Sequence, residues 1–88
     1  MKDSAVIIFS RRGKNKETAI DLEVPLDISA NELVVALTNA YQLNIDTEDI
    51  KQCYLRCERP IALLRGDRTL REFGIRNGTI IHSDDQRE

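Results

Sequence analysis

Side chains able to do chemistry are sparse in this sequence: Cys53 and Cys57, a single histidine at His82, and the carboxylate pairs Asp46/Glu48 and Asp84/Asp85. The segment QCYLRCE alternates like a strand, which would hold its two thiols about 13 Å apart at ~3.3 Å per residue. A disulfide needs Cα atoms within about 7 Å. The expectation is therefore two reduced cysteines buried as small apolar side chains. There is no CxxC and only one histidine, so neither a metal nor a cofactor is expected. The paired carboxylates read as loop and tail residues solvated by water, whereas catalytic carboxylates need burial or a partner to shift their titration. No phosphate-binding or dinucleotide-binding glycine motif occurs. A chain this small has little room for a deep pocket. The expected protein is not an enzyme.

One small domain has to position whatever acts. Eighty-eight residues make a single domain with one modest core. Hydrophobic residues are 41% and charged residues 32% of the chain, the balance of an ordinary globular protein. With no Trp, two Phe and two Tyr, the core must be mostly aliphatic. A net charge of −2 and a pI near 5.4 argue against nucleic acid as a partner. No apolar run approaches the about 20 residues that span a bilayer, and the apolar stretch near Met1 is too short for a secretory signal. The expectation is a cytoplasmic protein without membrane insertion. The basic segment around Arg11, Arg12, Lys14 and Lys16 reads as a wet hairpin tip.

Two strands open the chain. AVIIFS (residues 5–10) is a compact apolar run, and TAIDLEV (residues 18–24) alternates with Ile20, Leu22 and Val24 on one side. Pro25 ends the second strand. Ser29-Ala30-Asn31-Glu32 has the spacing of a capping box, with Ile28 placed to staple onto Leu33. The apolar stripe predicts a helix over 30–42 built on Leu33, Leu37, Ala40 and Tyr41, widened by Ala36 and Leu43. Thr47 could cap a short turn in the acidic stretch that follows. QCYLRCE (residues 52–58), IALLR (61–65) and TIIHS (79–83) complete five strands, with a brief helical turn at TLREF and a tight turn at Asn77-Gly78. The order β-β-α-β-β-β, with one main helix on one face of a mixed five-stranded sheet and the last strand beside the first, is an α+β arrangement, the β-grasp. Its ordered core is expected over 5–83, with 84–88 as a loose tail.

Function would then lie on the surface. A sheet covered on one face should be apolar only at alternate positions, yet Val6, Ile7, Ile8 and Phe9 are consecutive, and Ile80 adjoins Ile81. The reading places Val6 and Ile8 inside, leaving Ile7 and Phe9 outside. Tyr54 and Ile81 (or its neighbour Ile80) would extend the patch. Arginines crowd the second half, and of these Arg56, Arg71 and Arg76 are expected to join a protein-binding surface.

The pattern Asp67, Thr69, Leu70, Phe73, Ile75 resembles that of the ubiquitin-like family. IDLEVP, then a capped helix with LVVAL, then FGIRNGTII, resembles the small ubiquitin-like proteins of bacterial type VII secretion systems, the YukD/EsaB group. That resemblance implies an accessory or regulatory module that docks on a protein of a membrane-bound secretion machine. Conjugation and sulphur transfer in the ubiquitin-like family need a C-terminal Gly-Gly. Here the four glycines, Gly13, Gly66, Gly74 and Gly78, stand apart and the chain ends Gln86-Arg87-Glu88, so neither reaction is expected. A covalent modifier or sulphur carrier is one rival reading. A self-associating scaffold, forming a weak homodimer through its open face, is another.

Overall fold

The computed structural model describes residues 3–12 and 16–84. Strands β1 (Ser4–Arg12) and β2 (Glu17–Pro25) form an antiparallel hairpin. Helix α1 (Ala30–Tyr41) follows, then β3 (Leu55–Glu58), β4 (Ala62–Leu64), the short helix α2 (Leu70–Phe73) and β5 (Ile80–Asp84). The strands make one five-stranded sheet in the order β2-β1-β5-β3-β4. Strand β5 runs parallel to β1 and antiparallel to β3. The sheet is mixed, β1 and β5 are interior, and one main helix covers one face: the β-grasp arrangement. The tip carrying Gly13 and Lys14, and the tail after Asp84, lie outside the described residues.

Both halves of the expected capping box are present. The amide of Glu32 donates to Ser29 Oγ at 3.0 Å, and the amide of Ser29 donates to Glu32 Oε1 at 2.8 Å. The buried stripe of α1 is Ala30, Leu33, Val34 and Leu37. Val34 replaces the expected Ala36 and Ala40, which face solvent. The stripe is thus i, i+3, i+4, i+7, the narrow face a short helix turns toward a sheet. A second capping box starts α2: Glu72 N donates to Thr69 Oγ1 at 3.1 Å and Thr69 N to Glu72 Oε1 at 2.9 Å. Gly74, at φ 84°, closes that helix in the left-handed region, where glycine carries no Cβ penalty.

These two helix starts are stitched together. Ser29 and Thr69 form an antiparallel bridge. The amides of Ala30 and Asn31 donate to Arg68 O and Gly66 O at 2.8 and 3.0 Å. In return, the amides of Leu70 and Arg71 donate to Ile28 O and Leu26 O, each at 2.9 Å. First-turn amides, which a helix leaves orphaned, are in this way satisfied by the other helix's lead-in segment.

The parity of β1 is the reverse of the expectation. Ile7 and Phe9 are buried, at 0% and 1% exposure, and Ile81 is buried at 0%, while Val6 is 43% exposed. The register explains it. Ala5 pairs with Val24 and Ile7 with Leu22, so the apolar side of β2 selects the odd positions of β1. Phe9 then lies level with Ile81, and Ile81 with Cys57. Phe9 also packs on Tyr41 of α1, with ring centroids 5.2 Å apart, which supplies bulk to a core without Trp.

Cys53 precedes β3 instead of lying on it, and both cysteines are buried free thiols. Cys53 Sγ donates to Asn31 Oδ1 at 3.2 Å, and Cys57 Sγ to Pro60 O at 3.1 Å. Burial pushes the Cys57 thiol above its ordinary 9.0. In the acidic stretch the turn is organised by aspartates, not by Thr47: Glu48 N donates to Asp46 Oδ1 at 3.0 Å and Lys51 N to Asp49 Oδ1 at 2.9 Å.

Candidate functional site

The face of the sheet opposite α1 has no covering element among the described residues. Register places its side chains in rows. One row runs Asp21, Ile8, Ile80, Glu58 across β2, β1, β5 and β3. The next runs Ala19, Ser10, His82, Arg56, Leu63 across all five strands. Glu23 and Val6 begin a third. Val6 and Leu63 are 43% and 46% exposed, and Ile8 and Ile80 are half-buried. The result is an apolar band with carboxylates along its β2 side and mixed charge along its β3 side.

The charged end has defined geometry. His82 Nε2 lies 2.7 Å from Glu58 Oε2, with the imidazole 23% and the carboxylate 54% exposed. Ser10, Arg12, Glu17 and Arg56 line the same shallow depression of about 170 Å³. Arg12 and Glu17 pair at 3.7 Å, both well exposed, so that pair contributes little to stability. No hydrogen bond joins Ser10 to the imidazole among the described residues. The arrangement offers an ion-pairing group beside an apolar strip, which suits recognition of a protein surface.

The residues expected to form a binding surface are not brought together. Ile7, Phe9 and Ile81 are core, because the hairpin register turns them toward α1. Arg56 does stand on the open face, opposite Leu63. Tyr54 is half-buried ahead of β3. Arg71 sits on α2, where its guanidinium holds Asp27 at 3.0 Å and Asp3 at 3.4 Å. The hydrogen bond and the charge of Asp27, aided by Asp3, raise its pKa above the ordinary value. Arg71 thus ties α2 to the β2–α1 link and is not held free for a partner. Arg76 lies in the turn before β5, where its amide donates to Thr79 Oγ1 at 3.0 Å. The residues missed were Val6, Ile8, Leu63, Glu58 and His82. For Val6 and Ile8 the sequence signal is a parity that four consecutive apolar residues hide.

Residues 9–82 match the family described as "WXG100 protein secretion system (Wss), protein YukD". The chain belongs to the YukD family. Among curated proteins none matches it. Solved structures resemble this YukD-family chain at the level of fold. Tubulin-binding cofactor B of Trypanosoma brucei aligns at TM-score 0.66 and 10% identity, over 97% of this chain and 98% of that one. The UBL domain of Plasmodium falciparum Dsk2 aligns at TM-score 0.54 and 18% identity, over 91% and 97%. The fold is ubiquitin-like, and the YukD family associates it with a type VII secretion system.

Proposed function

We propose that this YukD-family protein is a non-catalytic, cytoplasmic docking module that binds a component of a type VII secretion apparatus through the open face of its sheet. It acts as an accessory or regulatory part of that machine. The observation that carries the reading is the uncovered apolar strip of Val6, Ile8 and Ile80 on β1 and β5, bordered by His82, Arg56 and Glu58, with exposed Leu63 beyond them on β4. Uncovered apolar surface with a polar rim is the usual form of an interaction site. A non-catalytic role is supported by the shallowness of the depression at His82: water reaches both members of the pair, so neither gains the burial that acid–base catalysis draws on.

The test is capture of secretion-apparatus components by the tagged full-length protein in a cell that makes the apparatus. Val6→Lys, which faces Glu23, combined with Leu63→Glu, which faces Arg56, should remove capture while leaving Tm nearly unchanged. Capture that survives the double substitution moves docking off this face. The covalent-modifier reading is disfavoured by four glycines of which no two are adjacent. Intact mass of the protein recovered from its cell checks it, since adducts would restore that reading. Sedimentation over a concentration series separates a monomeric module from one that dimerises through the same face.

A further inference from the structure

On the helix side of the sheet lies a second concavity, of about 670 Å³, against about 170 and 400 Å³ for two depressions on the open side. Its base is Cys53, 4% exposed. One wall is Ile50 and Lys51 from the turns ahead of β3, and a second is Asn31 in the first turn of α1. The third is the Arg65–Arg68 turn joining β4 to α2. That turn is held in place, because Gly66 O and Arg68 O accept the amides of Asn31 and Ala30.

Charge and apolarity coincide here. Three cations, Lys51, Arg65 and Arg68, line the concavity against one carboxylate, Asp67. The Lys51 and Arg65 side chains have no ion pair or hydrogen bond among the described residues. The Arg68 guanidinium lies over the Phe73 ring, 5.1 Å from the centroid, and donates to Glu72 O at 3.3 Å, which anchors it on α2 at the edge of the recess. Like charges held side by side in a recess raise the local concentration of anions, and arginine grips carboxylates with two parallel hydrogen bonds. The α1 amides are already occupied, so side chains would do the binding. Ile50, 81% exposed, stands on the rim. Asn31 Oδ1 is taken by Cys53 Sγ, which leaves its amide NH₂ as a donor toward a passing backbone carbonyl. No aromatic ring lines the recess for stacking a base. The chain as a whole carries −2, and Glu17, Asp21 and Glu23 stand on β2 at the sheet's far edge. An acidic partner is therefore repelled from β2; at the recess, Asp49 adjoins the Lys51 wall, so the attraction there rests on Lys51, Arg65 and Arg68 acting together.

We propose that the recess is a docking surface for an acidic, extended segment of a partner protein, carboxylates on Lys51, Arg65 and Arg68 and an aliphatic side chain against Ile50. It is distinct from the open sheet face, and the two together would let the module bridge two proteins.

The experiment is an NMR titration of the ¹⁵N-labelled full-length chain with the capped peptide Glu-Asp-Leu-Glu-Asp. Controls are its Leu→Ser form, its amide analogue Gln-Asn-Leu-Gln-Asn, and inorganic phosphate. Saturable shifts are expected at the amides of Asn31, Ile50, Lys51, Cys53 and Gly66. They should weaken about tenfold between roughly 50 and 300 mM salt, and by a similar factor in Lys51→Glu with Arg65→Glu at unchanged Tm. The Leu→Ser form should bind more weakly and the amide analogue not at all. If the double variant does not fold, Arg65→Gln alone reads the same loss. The proposal is overturned by an absence of saturable shifts, by shifts confined to Val6, Ile8 and Ile80, by indifference to charge reversal, or by phosphate producing the same shifts at equal concentration. The last outcome would make the recess a simple anion site. Because the shift map separates the two faces, this result is independent of whether the open face docks on a secretion component.

Discussion

Ile7, Phe9 and Ile81 on one side of the sheet, and Val6, Ile8 and Ile80 on the other, are chemically almost interchangeable sets drawn from the same two strands. One set is sealed under α1 and the other is partly open to solvent. What separates them is cover, and cover is assigned by a register set elsewhere. An apolar residue on the helix side is worth its transfer from water plus the cavity it fills. The same residue on the open side is worth little until a partner supplies the missing cover.

Substitutions can break or sharpen that contrast. Phe9→Ala removes the largest ring from the sealed side and should cost about 3–5 kcal/mol in chemical unfolding. Leu37→Ala, the helix's contribution to the same side, should cost about 2–5 kcal/mol; a smaller loss for either would mean the covered side is looser than its burial implies. Thr69→Ala should cost about 0.5–2 kcal/mol through the lost cap. Ser29→Ala should match it, because the Ser29 hydroxyl caps α1 in the same way that Thr69 caps α2. Alkaline titration probes the covered side in another way. Cys57 has a folded pKa raised above 9.0, so its contribution to stability is complete below that pH and is lost as pH rises through the folded value. Cys57→Ala should flatten that alkaline decline in a pH series of unfolding curves. Val6→Thr on the open side, which keeps the β-branched shape, should change stability by less than about 0.5 kcal/mol. A large loss there would mean the face is covered in solution, as self-association would do.

Much of this architecture can be read from residue patterns, and the failures share a cause. Ser29 and Glu32 announce the helix start because a capping box is local. Ile20, Leu22 and Val24 announce a one-sided strand because their alternation is local too. Val6 to Phe9 carry no phase of their own: four apolar residues in a row fit either face, and only pairing with Leu22 and Val24 decides. The open-face site inherits that ambiguity, so His82 and Glu58 could not be seen as neighbours. Thr69 and Glu72 have the same spacing as Ser29 and Glu32, yet the residue pattern predicts only a brief helical turn there. The short helix they begin attracts less notice, since no long apolar stripe follows it. The Lys51–Arg65–Arg68 recess depends on bringing together segments that only the finished fold joins.

The bridge between Ser29 and Thr69 bears on how the molecule comes into being. The start of α1 borrows its acceptors from Gly66 and Arg68, residues made long after the helix itself. A nascent or truncated chain ending before that turn would expose the helix's leading amides, and its first turn would fray. Full hydrogen bonding of the first turn of α1 therefore waits on completion of the late turn at Gly66–Arg68.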